Sequence, residues 1–354
     1  DAGPAGALTI SGIRLQHGVI DGDGGCIVSA GSINLSDVEV SECMAGIGGS
    51  GGAHGGGISV AGDATLLRSF VGDNKVDGTD GYAYGGGLYA GGTATLTSTT
   101  ISGNFATSDS GGSFGGGIAV GKRAGNLQGT LAASSSAIQN NSATSHCGFC
   151  GVRGGGAFVY GNSTFEASTI SGNAAFSDAH YGAGGGLYFT AVSRASPVGA
   201  TLIDTDLGSN SADEDGGAIG ASGDLSITRG TISGNSAQNG GAIVLLGGNM
   251  DLAGSLLTGN IAMDRGGGIF VHGYGDAAAE NSTVSENIAL GNAGAIANMY
   301  GTVHLSSSTL TANTANGTGG GIWFYNPYYT LALESTIVAG NAAVLHRRWR
   351  LLIR

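Results

Sequence analysis

The sequence predicts an all-β chain, a single-stranded, right-handed parallel β-helix of about 11 to 12 coils. Three observations lead there. A unit of Gly-Gly-(Ala/Gly)-Ile, short apolar strand, Gly/Asn turn, Ser/Thr-rich strand and aliphatic-x-x-Asn recurs most cleanly from Gly216 to Asn313. Its asparagines Asn210, Asn235, Asn260, Asn287 and Asn313 lie 25, 25, 27 and 26 residues apart. The apolar runs are short and alternating, as in Leu225-Ser226-Ile227 and Ile269-Phe270-Val271, which is a strand period and not a helical one. Glycine supplies 72 of 354 residues with only 3 Pro; it follows no collagen period and sits at the turns.

Coils of such a helix stack at about 4.8 Å. An inward Asn at a shared corner can therefore donate from its amide to one neighbouring coil and accept from the other. Asn74, Asn104, Asn141, Asn173, Asn210, Asn235, Asn260, Asn287 and Asn313 are expected to form that row, with Cys43 in the corresponding place of an earlier coil. The role is structural.

Composition narrows the function classes. Charged residues make up 11% of the chain and the net charge is -12, so no Lys/Arg groove is available for nucleic acid. No apolar run approaches the roughly 18 residues of a membrane-spanning helix. The repeat covers nearly everything, so one elongated domain is expected over residues 1–343, followed by an atypical tail, 344–354, that holds Arg347, Arg348, Arg350 and Arg354. That tail is expected to be a short cap over the last coil or an artefact of the reading frame.

Residues 1–44 form less regular coils, in which Asp21 and Asp23 belong to a Gly-rich turn rather than to a calcium loop. The next triplets are Gly55-Gly56-Gly57, Gly85-Gly86-Gly87, Gly115-Gly116-Gly117, Gly154-Gly155-Gly156 and Gly184-Gly185-Gly186. From Asn74, Asn104 and Asn173 the next triplet begins 11 positions on, and from Asn141 it begins 13 on, against five to seven later in the chain. The extra residues leave one edge of adjacent coils and predict a wall. Inserts at Gly121–Gly129 and Thr190–Gly199 predict a second one.

The Gly-Gly-Ala-Ile and x-x-Asn pattern, seen in Gly216-Gly217-Ala218-Ile219 and Gly241-Ala242-Ile243, resembles the passenger repeats of chlamydial polymorphic outer-membrane proteins. More broadly the chain is similar to the pectate-lyase-like superfamily of right-handed β-helices. It departs from the passenger repeat at Phe-x-x-Asn, which here reads Ile101-x-x-Asn104, Ile232-x-x-Asn235 or Leu310-x-x-Asn313. The resemblance implies a secreted or cell-surface protein, belonging to a longer surface protein, of a kind that includes adhesins and polysaccharide lyases and hydrolases.

Four cysteines carry the redox chemistry. Cys26 and Cys43 are expected as buried thiols, bridging only if the coil is narrow there. Cys147 and Cys150 fall in the longest wall loop, where Cys150, His180, His146 and Asp178 could take zinc. A local disulfide or free thiols fit one isolated Cys-x-x-Cys better, so no metal and no cofactor is assigned.

Period two sends Tyr89, Phe158 and Tyr188 outward from the first strand, with Tyr160 two positions on from Phe158. Such a line of rings suits the sugar rings of an extended glycan; cover by the wall loops is the alternative. The expected groove is lined by Tyr89, Phe158, Tyr160 and Tyr188 and flanked by His54 and Tyr181. If it is catalytic, His146 or His180 is the base with Asp109 or Asp178 beside it. The acidic run Asp213-Glu214-Asp215 offers further loop carboxylates. The favoured reading is a β-helix that binds a polysaccharide or surface glycan. A polysaccharide-degrading enzyme and a plain spacer remain open.

Overall fold

The structure is a computed structural model, and it describes residues 6–47, 51–121, 128–190 and 198–344. The inserts expected to form a second wall, and the tail from Leu345, fall largely outside those residues. The described chain is all-β, a right-handed parallel β-helix of 12 rungs. No helix of the described residues is long and apolar enough to cross a membrane.

Each rung has four strand positions. A first strand such as Ile58–Val60 turns at Ala61-Gly62 into a second, Ala64–Leu67; a third, Phe70–Gly72, and a fourth, Lys75–Asp77, follow. The sequence pattern implied three. The difference lies in the turn after the first strand, which splits one long face in two. Ala157–Glu166 runs through that turn unbroken and joins the first and second sheets into one of 22 strands. The ladders are parallel, as where Leu88 pairs with Ile58 on one side and Ile118 on the other, and the register shifts between Ala237 and Asn239 where Ser236–Asn239 pairs with Ile261–Arg265. Inward positions, among them Ile58, Leu66, Val71, Leu88, Leu96 and Ile101, form one continuous apolar core along the axis. Burying each such aliphatic side chain is worth roughly 1.5–3 kcal/mol.

The asparagine row is present over all nine expected positions and extends to Asn341. Each Asn Nδ2 donates to the Oδ1 of the next, at 2.9 Å from Asn74 to Asn104 and 3.0 Å from Asn210 to Asn235, while the backbone N–H donates to the same oxygen. The second amide hydrogen goes back one rung, from Asn104 to the Val71 carbonyl at 3.0 Å. Every buried amide group is thereby used, which removes the desolvation cost of burying it. The corner is tight enough to put the preceding residue in the left-handed region, even where it is Asp73 (φ 56) or Asn140 (φ 55). That conformation costs roughly 1–2 kcal/mol for a residue other than glycine.

The glycine triplet is the counterpart of this row. Gly55 turns with φ 64, a side chain on Gly56 would meet the Gly86 carbonyl of the next rung, and a Cβ on Gly57 would lie 2.8 Å from the Asn74 amide carbon. The third position admits only small residues, hence Ala218, Ala242 and Ala295 in later rungs. Here the expectation for Cys26 and Cys43 is corrected, because the structure joins them in a disulfide with Cα atoms 5.7 Å apart. Cys26 occupies the third triplet position and Cys43 the asparagine position, with the same 17-residue separation as Gly57 and Asn74. Those two positions touch in every rung, so the coil is narrow enough to bridge.

A second ladder escaped the sequence reading. Between the second and third strands, Ser69, Thr99, Ser136 and Ser168 each accept the backbone N–H of the preceding rung, at 3.1–3.3 Å. Each hydroxyl donates to the carbonyl two residues back, as from Ser69 to Leu67 at 2.9 Å.

Replacing Asn210 by Ala leaves the Nδ2 and backbone N–H of Asn173 without their acceptor, a cost of about 1–3 kcal/mol. The expected outcome is a lower Tm and faster hydrogen exchange centred on rungs Asn173 to Asn235. Asn341→Ala, at the partly exposed end of the row, should change both far less.

Candidate functional site at the end of the wall

In five successive rungs the chain leaves the fourth strand, makes an arch and returns as a short extra strand before the triplet. These strands, Ala53–His54, Ala83–Tyr84, Ser113–Phe114, Val152–Arg153 and Gly182–Ala183, pair in parallel as a five-stranded sheet, which is the expected wall. The first residue of most of these strands is small and packs on the fourth sheet: Ala45, Ala53, Val76, Ala83 and Ala106 form one small cluster, and Ala143, Val152, Ala175, Ala212 and Ala237 another. The second residue turns the other way, over the outer face of the first sheet.

That second layer decides the fate of the aromatic row. Tyr84 stacks on His54 and on Phe114, with centroids 5.2 and 5.0 Å apart; Phe114 packs on Phe158 at 5.0 Å and Phe158 on Tyr188 at 6.1 Å. Tyr89, Phe158, Tyr160 and Tyr188 do point away from the axial core. They retain only 7, 3, 7 and 4% of their exposure. The wall covers them, so the alternative of loop cover holds and the solvent-facing row is corrected. Burial, then the nearby Tyr84 and Asp23, push the Tyr89 hydroxyl up to about 12.

Carboxylates close both edges of the wall. Asp23 accepts the His54 backbone N–H at 2.8 Å and lies 3.1 Å from its Nδ1. At the other edge Asp213 accepts the N–H groups of Gly182 at 2.6 Å and Ser177 at 2.7 Å. The remaining expected site residues sit on the arches. His146 Nδ1 lies 3.3 Å from Asp178 Oδ2, both exposed, and His180 Nδ1 is 4.0 Å from Asp213 Oδ2. Asp109 and Tyr181 are exposed on the arches either side of the one that carries His146, two rungs apart. Cys147 and Cys150 are joined in a disulfide, so in this state their thiols are not free to ligate the zinc considered with His146, Asp178 and His180. Among the described residues no group of three or more His, Cys, Asp or Glu is placed to hold a metal ion.

Past Gly182–Ala183 the arch is gone, and Asp213-Glu214-Asp215 forms a step where the wall stops. Asp215 continues the line of wall strands as a single bridge to Ala183 and to Asn239, and its Oδ1 accepts Asn239 Nδ2 at 3.2 Å. The other amide atom, Asn239 Oδ1, is buried without a hydrogen-bond partner. Glu214 is half-buried, and its carboxyl makes no hydrogen bond or ion pair among the described residues. Burial first, then the charges of Asp215 and Asp213, push it up to about 7, against the pull of Arg153. Burial also raises Asp215, opposed by the Asn239 bond and His272, and raises Asp213, opposed by its backbone donors. Arg153 lies over the Tyr188 ring, 5.1 Å from its centroid, and the Tyr188 hydroxyl is 3.1 Å from Ser222 Oγ.

The step therefore gathers a carboxyl poised near neutrality, a second acid, an unsatisfied amide oxygen and a guanidinium. Perturbed, unpaired titratable groups of this kind mark functional sites more often than structural ones. Beyond it the outer face of the first sheet continues among the described residues without wall strands: Val244, Phe270 and Ala297 are buried, Leu246, Met299 and Trp323 half-buried beside them, and His272, stacked on Phe270 at 5.3 Å, and Tyr325, 5.8 Å from Trp323, exposed at the edge. Sequence reasoning named the acidic run but not its position. The signal was the link shortening from 11 positions after Asn173 to six after Asn210, which places the run at the wall's end.

Two outcomes test this geometry. Phe158→Ala should cost about 3–5 kcal/mol and loosen the wall in hydrogen exchange, while Tyr181→Ala stays within about 0.5 kcal/mol. For Glu214 the folded value lies above the ordinary 4.5, so the folded protein holds a proton that the unfolded chain has released, and stability falls as pH rises from about 4.5 to about 7. Glu214→Gln should stabilise the fold at pH 8 by about 1 kcal/mol after allowing for its solvent exposure, read as a higher Tm, and leave Tm unchanged at pH 4. No family model, no curated protein and no solved structure matches this chain, so the site itself carries the functional argument.

Proposed function

We propose that this β-helix binds an extended glycan along the outer face of the first sheet, with the acidic step at Glu214 as the end of the binding surface. The observation that carries the reading is the half-buried, unpartnered Glu214 carboxyl beside Asp215 and the unsatisfied Asn239 oxygen. A protonated acid and an amide oxygen there are a donor and an acceptor without protein partners, as a sugar hydroxyl pair would require. Apolar and aromatic side chains continue from the step along the axis. Tyr325 is 60% exposed and Tyr274, two rungs earlier, 79% exposed; exposed rings spread along the axis suit a chain ligand rather than a compact one. The ligand surface thus begins at the acidic step past Tyr188, where the wall ends, and not over the covered Tyr89, Phe158 and Tyr188. A secreted or cell-surface setting fits the two disulfides.

One observation favours a second reading, polysaccharide cleavage. A carboxyl that keeps its proton near pH 7 can protonate a leaving glycosidic oxygen, and Asp215 beside it could serve as the second carboxylate of such a pair. In that case Glu214 is the general acid, and the exposed His146 and His180 with Asp109 and Asp178 are arch residues without a part in the chemistry.

The test is a panel of uronate-containing, neutral and ester-bearing polysaccharides, scored for binding and for new reducing or unsaturated ends. Tyr325→Ala and Glu214→Gln should each weaken binding about tenfold or more, equivalent to about 1.4 kcal/mol, while Phe149→Ala on the arch should not. Turnover lost in Glu214→Gln with binding retained selects the enzyme. Equal binding by wild type and both variants overturns the site.

A further inference from the structure

The two disulfides differ in what surrounds them. Cys26–Cys43 ties the triplet to the corner at the core, with Cys43 1% exposed and Cys26 half-buried against it. Cys147–Cys150, both half-buried, closes a loop of sequence separation 3 at the crest of the longest arch, between the exposed His146 and Phe149, the latter 89% exposed. Closing so short a loop removes little entropy from the unfolded chain, since the effect grows with loop length. Nor does the arch need the link. Its rising strand, Ser142–Ser145, pairs with both Phe105–Ser108 and Ala174–Ser177, and its returning strand, Val152–Arg153, pairs with both Ser113–Phe114 and Gly182–Ala183. Cys147 N–H donates to Ser145 Oγ at 3.2 Å and the Cys150 carbonyl accepts from Ser177 Oγ at 3.2 Å, so both ends of the Cys-x-x-Cys turn are held by groups other than sulfur.

We propose that Cys147–Cys150 is a thiol–disulfide exchange site, open to a small thiol or to a cysteine thiol of another protein while the β-helix stays folded. Exposed disulfides are the labile ones of a secreted protein, buried ones the structural ones. Cys150 Sγ lies 3.5 Å from the Ser110 carbonyl oxygen. A thiolate on Cys150 would face that oxygen, whereas a neutral Cys150 thiol would donate to it, so Cys147 is the better leaving sulfur. It is also next in sequence to His146, whose ring is paired with Asp178. An external thiolate attacks Cys150 Sγ; the Cys147–Cys150 bond breaks, a mixed disulfide forms on Cys150, and Cys147 leaves as the thiolate and takes up the proton released by the incoming thiol. A second external thiolate then attacks the sulfur of the first, and Cys150 leaves and is protonated. Two thiols are oxidised to one disulfide, and the protein pair is reduced to the dithiol.

The full chain is treated with millimolar reduced glutathione without denaturant, quenched with iodoacetamide and mapped by peptide mass, with circular dichroism recorded in parallel. The expected result is alkylation of Cys147 and Cys150, none of Cys26 and Cys43, an unchanged β-sheet spectrum, and reoxidation by glutathione disulfide. Treated instead with glutathione disulfide, the Cys147→Ser variant, which has no resolving sulfur, should accumulate a glutathione adduct on Cys150 with release of one glutathione thiol, and the Cys147→Ser/Cys150→Ser variant should fold and take none. Either of two results overturns the proposal: all four cysteines modified together, or no modification until denaturant is added.

Discussion

Everything in this molecule depends on one constraint, that the backbone bend between the third and fourth strands recurs at the same place in each rung with its polar groups satisfied. The asparagine row meets it. Each amide oxygen accepts two hydrogens from the rung before, and each amide nitrogen donates to the rung before and to the rung after, as in the chain from Asn74 through Asn104 to Asn141. The left-handed residues at the bend are held by this network. The glycine triplet follows from it, since the third glycine must lie flat against the amide. At the first complete rung the same two positions carry a disulfide instead, which locks covalently what hydrogen bonds hold elsewhere.

A corner repeated this rigidly sets the direction in which each chain leaves the fourth strand, and so permits five arches to stack in register. Two thin cores then fix the wall, alanine against the fourth sheet and aromatic rings against the first. The aromatic content of the N-terminal half is therefore spent on structure. Where the arches stop, the row that has been Tyr84, Phe114, Arg153 and Ala183 becomes Asp215 and Asn239, and the first sheet's outer face runs on with Val244, Phe270 and Ala297 still buried and His272 and Tyr325 exposed at its edge. Glu214 sits at that boundary, desolvated by the last arch and crowded by two acids without a partner of its own. A desolvated acid and the unsatisfied Asn239 oxygen meet there, a local breach of the kind that functional sites carry.

The fold was legible because its cause is periodic. Asn spacing and Gly triplets repeat, and each repeat specifies the same corner, so nine asparagines could be assigned a place from the chain alone. The hydroxyl ladder was not recognised, because Ser69, Thr99 and Ser136 sit in segments already rich in Ser and Thr. The aromatic row was placed on the correct face with the wrong exposure. Period two gives the direction of Tyr89 or Tyr188, but only the return path of the arch says what lies above them, and that path is set by pairing between rungs. The cysteine pair at 26 and 43 was readable in principle, since its spacing equals that of Gly57 and Asn74. Glu214 was indistinguishable from a solvated turn residue until the end of the wall was located.

The account turns on that single carboxyl, and its charge can be observed directly. The chain contains seven glutamates, few enough for the side-chain carboxyl carbons of a ¹³C-glutamate-labelled sample to be followed individually by NMR as pH is raised. One resonance should titrate near pH 7 and vanish in Glu214→Gln. If every glutamate titrates in the ordinary range, Glu214 is a solvated turn residue, and the step at the end of the wall is not the site.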